Sequence, residues 1–257
     1  MSDTCRVCGN KTEKPIFSAE VLGKSVDFYE CTKCGYVQTE NPYWLGEAYE
    51  SVINDSDTGL MLRNLRCART VLGTLSSLGN TRGRVVDCAG GYGILTRLLR
   101  DIGIDAFWSD PYCRNLVAMG FEHKGTTADL VTAFEAFEHF VTPVQEINTL
   151  FEIAPNLLIS TILIPTPTPP PDEWWYYGLS HGQHVGFFRV STLHYIAEKF
   201  GKHLITDGVG THLFVDKPIS KMKWRFNILV GRFMPWLLAR KISSRVQSDH
   251  EMMNQSK

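Results

Sequence analysis

Ten residues, Arg84 to Gly93, leave this chain little freedom of fold. Arg84-Val85-Val86-Asp87-Cys88 reads as a short apolar strand, and Ala89-Gly90-Gly91-Tyr92-Gly93 follows without a spacer. A helix then places Leu95, Leu98, Leu99 and Ile102 on one face, and Ile104 to Asp110 reads as a second strand closed by a carboxylate. Strand, glycine turn, helix, strand, acid is the opening βαβ unit of a dinucleotide-type fold. Glycine lets the backbone come close to a ligand, and an acid ending the second strand can accept both hydroxyls of a ribose. Downstream, Asp129 to Phe134 is a buried strand running into the loop Glu135-Ala-Phe-Glu138-His139-Phe140. Val144 to Phe151 is a helix after Pro143, and Asn156 to Ile162 is another buried strand. The alternation predicts an α/β fold, a Rossmann-like and mostly parallel sheet with helices on both faces. Only 18 residues separate Asp110 from Asp129, so the helix and strand expected there must be abbreviated.

The N-terminus is organised differently. Cys5-Arg-Val-Cys8-Gly9 and Cys31-Thr-Lys-Cys34-Gly35 form two CxxC-Gly knuckles, with 22 residues between Cys8 and Cys31. Cys5, Cys8, Cys31 and Cys34 supply the four sulfurs of a tetrahedral structural zinc site in a small zinc-ribbon-like module. Ile16-Phe17 and Val26-Asp27-Phe28-Tyr29 offer it short strands. A segment of about 35 residues buries little core, so the metal supplies much of its folding free energy. A redox role would need one pair beside a βαβ unit, and neither has that setting. Cys67, Cys88 and Cys113 lack such partners and read as packing residues.

Four segments result: a zinc-binding module over 1–40, a helical lid or linker over 41–80, the α/β domain over 81–216 and a tail over 217–257. In the second, an aromatic stretch from Asn41 to Tyr49 and Ser56-Asp57-Thr58-Gly59 precede a helix carrying Met61, Leu65, Ala68, Leu72 and Leu75 on one face, with Arg63, Arg66 and Arg69 on another. That helix either packs on the domain or belongs to a lid in which Tyr43, Tyr49 or Thr58 covers a ligand.

The formal net charge of -1 gives no reason to expect nucleic acid. The charge is uneven, however: Lys217 to Arg245 holds eight basic residues and no acidic ones, interleaved with Trp224, Phe226, Phe233 and Trp236. The tail is either a helical pair with solvated cations or a segment making peripheral contact with an anionic membrane through 217–245. The opening Met-Ser-Asp-Thr-Cys-Arg lacks the apolar run of a signal peptide, and no apolar stretch of about 18 residues occurs. The expected location is the cytoplasm, with any membrane contact peripheral and at the inner face.

Two cofactors compete for the glycine turn. A nicotinamide dinucleotide fingerprint wants G-x-G-x-x-G, and Thr96 stands where its third small residue belongs. An acid followed by G-x-G-x-G instead resembles the signature of class I S-adenosylmethionine-dependent methyltransferases. Asp87-Cys-Ala89-Gly-Gly91-Tyr-Gly93 matches it with Ala89 for the first glycine. The resemblance implies S-adenosylmethionine as methyl donor, lying on Ala89, Gly91 and Gly93, with Asp87 holding the methionine ammonium through water and Asp110 the ribose. The loop after the next strand resembles the Glu-x-x-Glu-His motif of the same class. It adds Glu135 to the cofactor-binding residues and Glu138 and His139 to the catalytic candidates. The usual adenine-contacting acid has no equivalent here.

From Cys5 to Asp216 the order of motifs is similar to a bacterial family of zinc-module methyltransferases associated with glycan and polysaccharide biosynthesis. The resembling stretches are Pro42-Tyr-Trp-Leu, Ser56-Asp-Thr-Gly, Asp87 to Leu99, Phe134 to Phe140, and Glu173-Trp-Trp-Tyr-Tyr-Gly to Phe188. They imply a sugar-containing acceptor without identifying it. A broader similarity is to deoxysugar C-methyltransferases, which place Tyr-His-Glu-His before an aromatic pair, the last histidine serving as base. Here His181-Gly182-Gln183-His184 precedes Phe187-Phe188; the final histidine matches, while the tyrosine and glutamate do not. Oxygen methylation is therefore expected over carbon methylation, with His184 the first-choice base and His181, Glu138 and His139 the other candidates.

Five prolines between Pro165 and Pro171 make a stiff connector. It delivers Trp174, Trp175, Tyr176 and Tyr177, whose flat faces suit sugar rings or ordinary packing. The alternatives are sugar C-methylation, methylation of a quinone or other small molecule, and a non-catalytic zinc-module scaffold with a degenerate α/β unit. Retention of Asp87, Gly91, Gly93, Asp110, Glu138 and His139 argues against the scaffold.

Overall fold

The computed structural model describes residues 4–12, 14–49 and 58–255. Ser56 and Asp57 of the Ser56-to-Gly59 motif lie outside the described residues. The strands are β1 (Phe17–Val21), β2 (Lys24–Glu30), β3 (Val37–Thr39), β4 (Arg84–Cys88), β5 (Asp105–Ser109), β6 (Leu130–Phe134), β7 (Leu157–Ser160), β8 (Gly186–Phe187), β9 (His203–Thr206) and β10 (Thr211–Val215). The α-helices are α1 (Leu45–Ala48), α2 (Leu60–Leu78), α3 (Ile94–Ile102), α4 (Pro143–Ile153), α5 (Val190–Lys199), α6 (Lys221–Phe233), α7 (Pro235–Ala239) and α8 (Val246–Gln255).

The larger sheet has six strands in the order β5-β4-β6-β7-β10-β9, and β4 runs parallel to both β5 and β6. Val85, Val86, Leu130, Val131, Leu157 and Leu158 are fully buried. Near-continuous apolar runs of this kind belong to strands covered on both faces, as in the Rossmann-like α/β architecture. The 18-residue interval after Asp110 holds no helix or named strand, only a single parallel bridge between Trp108 and Glu122.

By packing, the chain forms two compact units. The first comprises Met1–Asn54, Glu135–Thr149 and Ile159–Phe214; the second comprises Asp55–Phe134, Leu150–Leu158 and Val215–Lys257. The first unit carries an antiparallel sheet in the order β1-β2-β3-β8. Its core gathers Val26, Phe28, Trp44, Trp174, Tyr177 and Phe187. The proline connector is tied to this sheet: Arg189 pairs with Glu30 and donates to the Pro165 carbonyl, and Tyr177 donates to the Pro169 carbonyl at 2.8 Å.

In the second unit α2 lies against α6, and the two backbones touch. A Cβ on Gly73 would stand 2.6 Å from the Asn227 carbonyl oxygen, and one on Gly231 would stand 2.6 Å from that of Arg69. Glycine is therefore required at this crossing. Trp224 donates to Thr74 at 3.1 Å and Asn227 to Ser77 at 3.0 Å, so the buried face of α6 is polar as well as apolar. Beyond it, α8 is fixed by Asp249, which accepts from Arg100 at 2.7 and 2.8 Å and from Arg97 at 2.7 Å.

Candidate active site

In the second unit the glycine turn is shaped by its neighbours. Ala89 and Gly91 have φ of 60° and 52°, and Gly93 opens α3 with φ of 88°. Gly91 is held from both sides: its amide donates to Asp110 Oδ2 at 2.9 Å, and its carbonyl accepts from Trp108 Nε1 at 2.9 Å. A Cβ added to Gly91 would meet nothing within 4 Å, so the left-handed backbone, not crowding, calls for glycine there. Asp110 also accepts from the Tyr112 and Cys113 amides at 2.8 Å each. Three of its roughly four lone-pair sites are thus engaged with the loop, leaving one for a ligand hydroxyl.

Asp87 sits beneath this loop, 2% exposed. Its Oδ1 accepts from Thr132 at 2.8 Å and its Oδ2 from Thr96 at 3.5 Å. Burial pushes its carboxyl up to about 7, against the two hydroxyls that favour the charged form. A cation beside it would restore the carboxylate. This is an environment that fits the ammonium of S-adenosylmethionine, and the open loop fits a ligand laid across its backbone.

The other sequence candidates gather in the first unit. Glu135, with φ of 49°, accepts a hydrogen bond from Ser160 Oγ at 2.5 Å. Glu138 is fully buried, and neither carboxylate oxygen has a hydrogen-bond partner. The Tyr176 and Thr161 hydroxyls lie beside it at a geometry short of a bond. Burial, followed by the nearby Glu135 charge, pushes Glu138 up to about 8.

His139 and His184 pack edge to face, with ring centroids 4.9 Å apart. His139 Nδ1 meets the Tyr49 hydroxyl at 3.0 Å, and its Nε2 lies 4.0 Å from Glu138 Oε1. Burial and the facing histidines hold His139 well below its ordinary range, and burial brings His184 down to about 4. His184 Nδ1 is 2.6 Å from the Tyr176 carbonyl, which can only accept. The proton is therefore on Nδ1, and Nε2 keeps a lone pair. His181 is the reverse: its Nδ1 accepts from the Gln183 amide at 3.2 Å, so the neutral ring carries its proton on Nε2 and offers no basic nitrogen there.

Cys5, Cys8, Cys31 and Cys34 converge in the same unit. The Cys5–Cys34 and Cys8–Cys31 sulfurs are 3.6 and 3.4 Å apart. Zinc–sulfur bonds of about 2.3 Å give tetrahedral edges of roughly 3.8 Å, so the four thiols fit a zinc ion. Of the aromatic run, Trp174, Tyr176 and Tyr177 are core residues, and Trp175 alone is exposed, at 77%. The packing reading holds for three of the four. Tyr49, a lid candidate in the sequence, is reached here as the partner of His139, a contact its aromatic stretch does not signal.

Residues 61–206, more than half of the chain, match the family described as a methyltransferase domain. The chain belongs to that family. No curated protein matches it in sequence. Similar solved structures include TnmH, at 14% identity and a TM-score of 0.45, covering 68% of this chain and 61% of that one. CalO1, a methyltransferase in calicheamicin biosynthesis in its SAH-bound form, has 15% identity and a TM-score of 0.46, covering 68% and 60%. Magnesium protoporphyrin IX methyltransferase from Synechocystis PCC 6803, with bound SAH, has 16% identity and a TM-score of 0.43, covering 68% and 95%. The match thus spans about three fifths of the first two.

Proposed function

We propose that this protein transfers a methyl group from S-adenosylmethionine to a hydroxyl of a sugar-containing acceptor. The observation that carries the reading is the Asp87-to-Gly93 loop, where a buried carboxylate with two hydroxyl partners lies below a backbone held open by Asp110 and Trp108. When bound, the donor supplies a methyl group on a positively charged sulfur. Asp87 answers the donor's ammonium, and the remaining lone pair of Asp110 a ribose hydroxyl. Transfer forms an oxygen–methyl bond and breaks the sulfur–methyl bond, whose electron pair stays on sulfur, so the acceptor hydroxyl must give up its proton. The lone pair on His184 Nε2 is the group this activation draws on, with His139 beside it. Trp175 offers an exposed aromatic face for a sugar ring. Zinc at Cys5, Cys8, Cys31 and Cys34 would hold the N-terminal module together.

Calorimetry with S-adenosylmethionine tests the core of this. Binding in the micromolar range supports it, and no binding at millimolar ligand returns the scaffold reading. His184→Ala should then leave that affinity unchanged while lowering turnover about 10²–10⁴-fold. An acceptor screen read by mass spectrometry separates glycans from quinones and other small molecules, and oxygen from carbon methylation.

A second reading concerns the tail. Among the described residues no helix is long and apolar enough to cross a membrane. On α6 and α7, however, Met222, Phe226, Phe233 and Trp236 are 62–82% exposed beside the exposed Lys221, Lys223, Arg225 and Arg232. Such a surface suits peripheral contact with anionic lipid, each cation contributing about 1 kcal/mol. The protein should sediment with anionic vesicles more than with neutral ones. Changing Phe226, Phe233 and Trp236 to serine, which leaves the buried face intact, should abolish the difference. Equal binding to both lipids leaves only the packed helix.

A further inference from the structure

The activation step leaves a question of chemistry. A buried carboxyl without a closed hydrogen bond is costly, roughly 1–3 kcal/mol, and the fold keeps one at Glu138. We infer that Glu138, His139 and His184 form a binding site for a first-row divalent cation, which takes the acceptor's oxygen as a further ligand. The inference rests on the methyl-transfer reading for the reaction but not for the site itself.

Three observations carry it. One ligand atom from each residue lies within 4.8 Å of the others. Bonds of about 2.1 Å would draw adjacent ligands to roughly 3.0–3.4 Å, a change that side-chain rotation supplies. Second, Glu138 is fully buried with neither oxygen in a closed hydrogen bond, the Tyr176 and Thr161 hydroxyls lying beside it short of one. Third, His184 is oriented as metal ligands are, with one ring nitrogen engaged by the protein and the other left over, and His139 is likewise held through its Nδ1. For His184 the engaged atom is Nδ1, at the Tyr176 carbonyl; for His139 it is Nδ1, at the Tyr49 hydroxyl. His181 is adjacent, its ring centroid 4.8 Å from that of His184, but its Nδ1 accepts from a backbone amide, so it is no part of the set.

Two imidazoles and one carboxylate suit manganese, iron, cobalt or zinc better than magnesium, which prefers oxygen throughout. The set carries one negative charge and leaves coordination positions open. An acceptor hydroxyl bound there loses its proton to solvent more readily, because the cation stabilises the alkoxide. Its oxygen then forms the bond to methyl as the sulfur–methyl bond breaks. The His184 Nε2 lone pair on which activation draws thus acts through the cation, and the acceptor's proton leaves to solvent.

The test uses the full-length protein loaded with zinc, since thiolate ligands retain zinc against manganese. Mn²⁺ is titrated in, with the electron paramagnetic resonance of the free ion as readout and S-adenosylmethionine affinity measured on the same samples. One Mn²⁺ should bind per chain. The dissociation constant should rise more than about 100-fold in His184→Ala and in Glu138→Gln, which keeps the shape of the side chain. Tyr49→Phe, which acts through His139, should weaken binding about 10–100-fold, and His181→Ala should leave it unchanged. No Mn²⁺ bound by the wild type, or unaltered binding in Glu138→Gln, overturns the cation site. If S-adenosylmethionine still binds in those samples, the methyltransferase reading survives that loss; if the wild type binds Mn²⁺ but not S-adenosylmethionine, only the methyltransferase reading falls.

Discussion

The two units differ in how they treat buried polar groups. In the second, such groups are closed by the fold: Asp87 by Thr132 and Thr96, Arg100 by Asp249 and the Ala106 carbonyl, Asn227 by Ser77. In the first, the described residues include buried side-chain atoms with no partner on Arg6, Tyr36, Glu138, Thr161, Tyr176 and Arg189, together with four clustered thiols. Every unpartnered buried atom found among the described residues belongs to that unit. An unmade buried hydrogen bond costs more than a made one contributes. Groups left open at that cost mark where a fold waits for something other than itself. The second unit keeps its freedom in a backbone turn, and the first keeps it in side chains, of which Glu138 and the four thiols favour cations.

The largest expected effect lies at the thiols. Structural zinc in small modules is worth an apparent ~10–16 kcal/mol, far more than any single contact. Cys31→Ser should lose the zinc, about one per chain in the wild type, and hydrogen exchange should become fast across residues 4–49. Full metal content with unchanged exchange would mean that this unit closes itself after all.

Next comes a pair of substitutions whose signs should differ. Asp249→Ala strips a 4%-exposed Arg100 of its bidentate partner and leaves it only one carboxylate, Asp105 at 3.5 Å; breaking a buried pair costs up to about 3–5 kcal/mol. Glu138→Gln replaces a buried carboxyl that burial holds up to about 8 and that no hydrogen bond closes, so without added cation it should leave stability equal near neutral pH and higher above pH 8, where the wild type must bury a charge. Urea midpoints at one pH compare them. Equal losses would show that Glu138 is a structural partner and would erase the contrast.

What the sequence disclosed follows the range of the interactions. The βαβ unit was legible because its signals are local: the strand at Arg84–Cys88, the helix after Gly93 and the strand ending near Asp110 all stand where periodicity and glycine place them. The cysteine knuckles were legible because their spacing encodes chemistry. The helix crossing at Gly73 and Gly231 was not, since an isolated helical glycine looks the same whether it is crowded or free. Asp249 gave no sign of pairing with Arg100, nor Tyr49 with His139; these contacts span 149 and 90 residues. Asp110 reads in the sequence as a ribose ligand, and its second task, fixing Gly91 and the amides after it, shows only in three dimensions.

A moderate effect is expected at the loop itself. Asp87 has its carboxyl raised to about 7, chiefly by burial. A carboxyl raised above its unfolded value stabilises the free protein below that value, and the contribution is lost as pH rises through about 7. A bound cation favours the carboxylate, so binding releases a proton wherever the free protein holds one. S-adenosylmethionine affinity should therefore rise with pH through neutrality, by at most about tenfold per pH unit for one proton. Asp87→Asn should weaken binding by the ~1.5–3 kcal/mol of a charged hydrogen bond and flatten that slope. A slope preserved in the variant would assign the proton to another group.

The smallest effect is the sharpest probe, because it turns a closed carboxylate into an open one. Thr132 Oγ1 donates to Asp87 at 2.8 Å, whereas Thr96 reaches it only at 3.5 Å. Both threonines are fully buried, and valine keeps their volume while removing the hydroxyl. Thr132→Val would leave Asp87 Oδ1 bare, the condition in which Glu138 already stands. Losing this bond should cost about 1 kcal/mol, expressed fully above pH 7, where Asp87 is ionised. It should also push the carboxyl further up, moving the midpoint of the pH-dependent S-adenosylmethionine affinity to higher pH. Thr96→Val, at the longer distance, should move both readouts less. Urea denaturation at pH 8 and calorimetry across the pH range measure the two. If Thr132→Val leaves stability and midpoint where the wild type has them, the threonine does not satisfy Asp87, and the second unit is no more self-sufficient than the first.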